Sequence, residues 1–190
     1  MIKDWFYDKL KENIGELRYE HSLRVMEKSV ELAKIYNVSV EKAAVAGLLH
    51  DCGKLKGGIN LLKLAEDFDI ILDSMTKNNH ELIHSVLGAA IAEKEYGIVD
   101  EDVLNAIRFH TTGRENMSKL EKIVYIADMI EPGRSFEGVD DIRKLALVDL
   151  DKALILSIDN TLKFVIEKRK LIHLDSVKAR NQLLIQKSME

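Results

Sequence analysis

The sequence predicts an all-helical protein, and three observations carry that prediction. One proline and ten glycines in 190 residues suit long helices better than a succession of tight turns. Aromatic and β-branched residues do not fall into the short alternating runs that strands need. Apolar residues instead recur at spacings of three and four, as on helices with one buried face. At 46% apolar, the chain can bury a core as one domain, or one domain with a small appendage.

The elements follow in order. Residues 3–13 read as a short amphipathic helix with Trp5, Phe6, Leu10 and Ile14 on its apolar side. The next runs from about Glu16 to Tyr36. Leu17, His21, Val25, Leu32 and Tyr36 share one stripe there, so His21 faces inward with Arg18 and Arg24 three residues to either side. Ser39 caps a helix from Val40 to His50 that is rich in alanine and leucine. After the break at Lys56-Gly57-Gly58, a helix spans about Ile59 to Glu66, and 67–80 are irregular or loosely helical. Glu81 to Tyr96 is closed by Gly97 as a C-cap. On that helix His84 shares a face with Leu87, Gly88 and Ile91, whereas His80 sits at the frayed end and is the poorer ligand.

Asp100 caps a helix that runs to His110 and is stopped by Thr111-Thr112-Gly113. Ser118 and Glu121 form a capping box for Lys119 to Ile130, which carries Leu120, Val124 and Asp128 in one row and ends at Glu131-Pro132-Gly133-Arg134. Two or three more helices follow, at about 139–147, 149–171 and 175–187, with Asp149 and Asp175 as N-caps. Val165 and Ile166 belong to the core side, and Glu167-Lys168-Arg169-Lys170 is a charged helix terminus. No internal repeat, low-complexity tract or linker divides the chain.

Bulk properties narrow the functional classes. The lone Cys52 excludes an internal disulfide framework and fits a reducing compartment. Met1-Ile2-Lys3-Asp4-Trp5 lacks the layout of a secretion signal, and no run approaches the roughly 20 apolar residues of a membrane span. The expectation is a soluble, cytoplasmic protein with no membrane partner. A net charge of −4 argues against extended nucleic acid as a ligand, yet allows a small anion in a locally cationic cleft.

The chemistry centres on Gly47-Leu48-Leu49-His50-Asp51-Cys52-Gly53-Lys54, where an apolar helix ends in adjacent imidazole and carboxylate groups. Burying such groups is costly unless a partner offsets it, and a cation held by both is the evident partner. His21, His84, His110 and Asp128 share this pattern, each on or at the end of an apolar helix. The resulting nitrogen and oxygen donor set, without thiolate, suits iron, manganese, cobalt, nickel or zinc and disfavours calcium. Six ligands exceed one tetrahedral ion, so two divalent ions bridged by one carboxylate is the better count. Two such ions generate hydroxide near neutral pH and hold phosphoryl oxygens, which points to hydrolysis of a phosphate ester or anhydride.

The order His21, His50-Asp51, His84, His110, Asp128 resembles the HD-domain metal-dependent phosphohydrolases, and more narrowly the YqeK family. The resemblance rests on Tyr19-Glu20-His21-Ser22-Leu23-Arg24-Val25, His50-Asp51-Cys52-Gly53-Lys54 and Glu81-Leu82-Ile83-His84. It continues through Asn105 to Gly113, Glu121 to Asp128, Glu131-Pro132-Gly133-Arg134, and a tail from Ile172-His173 to Ala179-Arg180-Asn181. It implies one HD-type phosphohydrolase domain over 1–190, with a core at about 16–135, C-terminal helices at about 139–187 and a two-metal cleft. It further implies a di-iron centre and symmetrical hydrolysis of diadenosine tetraphosphate, and related dinucleoside polyphosphates, to two ADP. By the same resemblance His21, His50, Asp51 and Asp128 hold one metal, and Asp51 bridges to a second held also by His84 and His110.

Asp51, together with a water on the metals, and Lys54 are the catalytic candidates. Lys54 and Arg134 are the leading cations for the polyphosphate, followed by Arg18, Arg24 and Arg114. Thr111 and Gly133 are candidate hydroxyl and backbone donors. Residues 169–173 are placed over the nucleoside, and His173 on the surface. Cys52 reads as a small buried hydrophobe. Two alternatives stay open: a less selective HD nucleotide phosphohydrolase, and a non-catalytic, metal-stabilised nucleotide-binding sensor. Metal identity, nucleobase discrimination and oligomeric state, a homodimer included, are left open.

Overall fold

The computed structural model describes residues 2–189, with the side chain of His80 outside the described set. Its elements are α1 (Asp4–Ile14), α2 (Glu16–Ile35), α3 (Val40–Leu49), α4 (Leu61–Asp67), α5 (Ser74–Lys77), α6 (His80–Tyr96), α7 (Glu101–Arg108), α8 (Lys119–Ile130), α9 (Val139–Ala146), α10 (Leu150–Glu167) and α11 (Leu174–Ser188). There is no strand among the described residues. Among the described residues no helix is long and apolar enough to cross a membrane.

Polar side chains start most helices where expected. Ser39 accepts from the Lys42 amide, Asp100 from the Asp102 and Val103 amides, and Asp149 from the Lys152 amide. At the far end of α6, Gly97 takes the left-handed conformation (φ 70°) and its amide reaches back to the Ala92 carbonyl. The helices α3 and α8 are the most buried and lie at the centre. α3 packs on α2, α7 and α8, and α8 on α2, α7, α9 and α10. One apolar cluster runs from Phe6 in α1 through Leu48, Ile107 and Ile126 to Leu183 in α11.

Several expectations are corrected. Leu17 is 83% exposed, because the buried face of α2 is centred on Ser22, Val25, Ser29 and Leu32, which places His21 at its edge. Trp5 lies partly outside the core and stacks on Tyr96 at 5.6 Å between ring centroids. α4 begins at Leu61, since the Asn60 side chain accepts from the Leu62 and Lys63 amides. A one-turn helix, α5, forms within the stretch read as irregular, capped by Asp73. Only half of the capping box forms: Ser118 accepts from the Glu121 amide, but the Glu121 carboxylate binds the Arg114 guanidinium through two bonds, of 2.9 and 2.7 Å. His173, rather than Asp175, caps α11, its Nδ1 accepting from the Asp175 amide at 3.3 Å. Ile166 is exposed, because the last buried residue of α10 is Ile158 and the helix extends past the core.

Candidate metal centre

α3 ends at Leu49, and the chain turns through His50, Asp51, Cys52 and Gly53 without leaving the interior. This turn lies directly on α6. The thiol of Cys52 donates to the Gly88 carbonyl at 3.2 Å, and its burial raises the thiol pKa far above the usual range, as suits an inert packing group. Gly53 is in backbone contact with α6, where any side chain at that position would collide with the carbonyl of His84. α6 thereby carries His84 to Asp51, α7 delivers His110 just beyond its C-terminus, and α2 and α8 bring His21 and Asp128 from the other side.

The two oxygens of Asp51 face two different groups. On one side Oδ1 lies 3.3 Å from His84 Nε2 and 3.5 Å from His110 Nε2, and the two ring nitrogens are 3.2 Å apart. On the other side Oδ2 lies 3.6 Å from His50 Nε2 and 3.9 Å from His21 Nε2. Those nitrogens are 3.3 Å apart, and Asp128 Oδ1 completes the group at 3.0 Å from His21 and 3.8 Å from His50. All six proposed ligands are therefore brought together.

Ring orientation is fixed from behind. His50 Nδ1 meets the Gly47 carbonyl at 2.8 Å and His110 Nδ1 the Ile107 carbonyl at 2.7 Å, so each donates there and turns Nε2 to the centre. Burial depresses the pKa of His50 to about 4 and also lowers that of His84, which keeps their nitrogens free to act as donors to a cation. Burial by itself would raise the Asp51 and Asp128 carboxyls. Neighbouring histidines, with Lys54 at Asp51 and Arg134 at Asp128, hold both well below the usual carboxylate range.

These residues fit divalent metals. Asp51 Oδ1 is buried and receives no hydrogen bond, an arrangement that is costly without a cation. The triangle formed by Asp51 Oδ1, His84 Nε2 and His110 Nε2 has the size expected of three donors each about 2 Å from one ion. The donors are neutral imidazoles and carboxylates, the set that transition metals favour.

The candidate substrate residues divide. Lys54 Nζ lies 2.9 Å from Asp51 Oδ2, and Arg134 bonds both the Asp128 carboxylate and, at 2.8 Å, its carbonyl. Arg24 Nε donates to Glu131 at 2.6 Å, and Arg18 donates to the Lys54 carbonyl at 3.0 Å while remaining largely exposed. Thr111 Oγ1 donates to Ser85 Oγ at 3.2 Å. The Gly133 amide donates to Glu131 Oε2 at 2.6 Å, and Arg114 is paired with the Glu121 carboxylate. His173 is mostly buried and stands 3.5 Å from Asp73, so it is a tether between segments instead of a surface residue. The neighbouring Lys170 pairs with Glu81 at 2.8 Å. Whether His80 meets a ligand lies outside the described residues.

Sequence reasoning missed Glu131. Its side chain is nearly fully buried and touches His21, Arg24 and Gly133. A signal was present: Glu131 follows Asp128 by three residues, so both acids project from one side of the end of α8.

Comparison with known proteins agrees with this geometry. The HD domain family model matches residues 18–133, a span that contains all six candidate ligands. A protein named symmetrical bis(5'-nucleosyl)-tetraphosphatase from Halalkalibacterium halodurans is 42% identical over 93% of this chain and 94% of its own. One of the same name from Staphylococcus aureus is 44% identical over 83% of this chain and 82% of its own. A crystal structure from Clostridium acetobutylicum, described as a "predicted HD superfamily hydrolase involved in NAD metabolism", superposes with a TM-score of 0.93 at 51% identity, covering 98% of each chain. With the family model covering more than half of its length and such relatives aligned over most of it, this chain belongs to the HD-domain family, in its YqeK branch.

Proposed function

We propose that this protein is a metal-dependent hydrolase that cuts diadenosine tetraphosphate, and related dinucleoside polyphosphates, symmetrically into two ADP. The observation that carries the reading is Asp51, whose two carboxylate oxygens each face a separate cluster of imidazoles. His21, His50, Asp51 and Asp128 would hold one divalent metal, and Asp51, His84 and His110 a second, with iron the first choice. Such metals, when bound, supply an activated water and Lewis-acid stabilisation of phosphoryl oxygens. The match over most of the chain to relatives bearing the symmetrical tetraphosphatase name supports the same substrate class.

The protein's own residues bind and orient the anion. Lys54 and Arg134 stand against the two ligand carboxylates, and a polyphosphate entering there would draw both cations onto its oxygens. On phosphates flanking the cut they would stabilise charge growing on the departing ADP oxygen, and so accelerate the step. Arg24 and Arg18 supply further positive charge on the α2 side, and Thr111 a hydroxyl. A cavity of about 330 Å³ lined by Asn78, Asn79, Glu81, Arg169, Lys170 and Leu171 lies about one helical turn before His84 and has room for a nucleoside. The Lys170–Glu81 and His173–Asp73 contacts tie 169–173 over that region. Buried, unpaired Cys52 supports a reducing, cytoplasmic location.

The test is product identification with metal-loaded protein in oxygen-18 water. ADP alone, with the label in one of the two molecules from each turnover, is expected. ATP with AMP would overturn symmetrical cleavage and leave a broader phosphohydrolase. Faster turnover of mononucleotides would favour the unselective nucleotidase. Nucleotide binding without turnover would favour a sensor.

A further inference from the structure

Three histidines of the centre have a visible partner behind the ring, and one of those partners differs in kind. His50 and His110 use backbone carbonyls three residues earlier in their own chain segment. His21 cannot do so, because it lies inside α2, where the preceding carbonyls are engaged in the helix. Its Nδ1 instead faces Glu131 Oε1 at 3.2 Å, across 110 residues of sequence. Glu131 is itself fixed on every side. Oε2 accepts from Arg24 Nε at 2.6 Å and from the Gly133 amide at 2.6 Å. A β-carbon at position 133 would come within 3.0 Å of both Glu131 oxygens and of the Arg24 guanidinium, so glycine leaves room for the assembly.

We infer that Glu131 is a positioning residue of the metal centre: its buried carboxylate holds His21 in the Nδ1–H tautomer, with Nε2 toward the metal, and fixes Arg24 beside it. One side chain thus links a ligand ring to a cation offered to the substrate. The inference rests on the metal part of the proposed function. It adds a role for a residue that touches neither metal nor substrate. A carboxylate behind a ligand imidazole sets the ring orientation and raises its basicity, and losing such a partner typically weakens metal binding by about 10- to 100-fold.

The test uses full-length protein loaded with Zn²⁺, as wild type and as Glu131→Gln and Glu131→Ala. Long-range proton–nitrogen NMR reads the tautomer of each histidine, and competition with a chelator reads Zn²⁺ affinity. In wild type His21, His50 and His110 should all be Nδ1–H. In the variants the His21 Nδ1–H signal should move or vanish through exchange, while those of His50 and His110 stay as internal controls. Zn²⁺ affinity of the site containing His21 should fall by about 10- to 100-fold. An unmoved His21 signal, or affinity within about twofold of wild type, would overturn the inference. Wild-type His21 protonated at Nε2 would overturn it with no variant needed, so a variant that fails to fold does not rescue it. Wild type that binds no Zn²⁺ would overturn the metal reading itself, and this inference with it.

Discussion

A β-carbon on Gly53 would stand 2.1 Å from the carbonyl oxygen of His84. Because the position bears none, the turn that carries Asp51 rests directly on the helix that carries His84, and the carboxylate reaches the ring at 3.3 Å. Gly53→Ala must push the turn off α6. It should destabilise the protein by about 1–3 kcal/mol, the usual cost of overpacking. Metal held by Asp51, His84 and His110 should be lost before metal held on the His21 side. Urea unfolding with metal analysis checks this, and wild-type stability with a full metal complement would show that the contact does not position the site.

The Asp51 carboxylate faces both imidazole clusters, one with each oxygen. Asp51→Ala should release both ions, whereas His84→Ala or His110→Ala should release mainly one, each lowering the rate by orders of magnitude. Metal-to-protein ratios for the three variants decide the matter. An Asp51→Ala protein that retains one tightly held ion would show that the carboxylate is not a bridge.

Arg134 is bonded to a carboxylate that faces the centre. Its removal should lower kcat/KM by roughly ten- to a thousandfold, corresponding to about 1.5–4 kcal/mol for one charge-assisted contact. Metal content should stay at or above the wild-type level, since the guanidinium and a metal compete for the same oxygen. Loss of metal in Arg134→Ala would assign the residue to the architecture of the centre instead of to substrate.

Burial of His50 carries a pH signature. Its pKa is about 4 in the folded state against an ordinary value of 6.5, so between these limits the unfolded chain binds more protons. Stability of the metal-free protein should therefore fall as pH drops from 6.5 toward 4, with a slope of up to about 1.4 kcal/mol per pH unit from this one group. Asp51 and Asp128, whose carboxyls are held low in the fold, act in the same direction at still lower pH. Denaturant unfolding of metal-free wild type at pH 7 and pH 5 should show the loss. A flat profile would mean that His50 is free to take up a proton in the folded protein.

Local chemistry was readable from the chain wherever one helix face or one cap decided it. The bounds of α8, the Ser39, Asp100 and Asp149 caps, and the Gly97 terminus follow from neighbouring residues alone. Errors arose where a distant segment set the outcome. Leu17 fits the stripe of α2, yet the face used is the one that sets Ser29 against Gly47 of α3, and no periodicity ranks the two. Ile166 has the right spacing on α10, but the last buried residue of that helix is Ile158 and the last to pack on the core is the half-buried Leu162. Glu121 has the right spacing for a capping box, but Arg114 draws its carboxylate away through two charge-assisted bonds.

The same division holds for the site. The sequence by itself determined the donor inventory, because a histidine or aspartate on an apolar helix must be matched by some partner and only a few positions meet that description. It also placed a flexible cation three residues after Asp51 and another six after Asp128. Which donors stand together is decided physically by the tertiary structure, because that depends on α6 meeting the turn at Gly53 and on α2 and α8 approaching from the opposite side. It alone turned Asp51 so that its two oxygens face different clusters. It alone joined Glu131 to His21 across 110 residues, a distance over which local spacing carries no information.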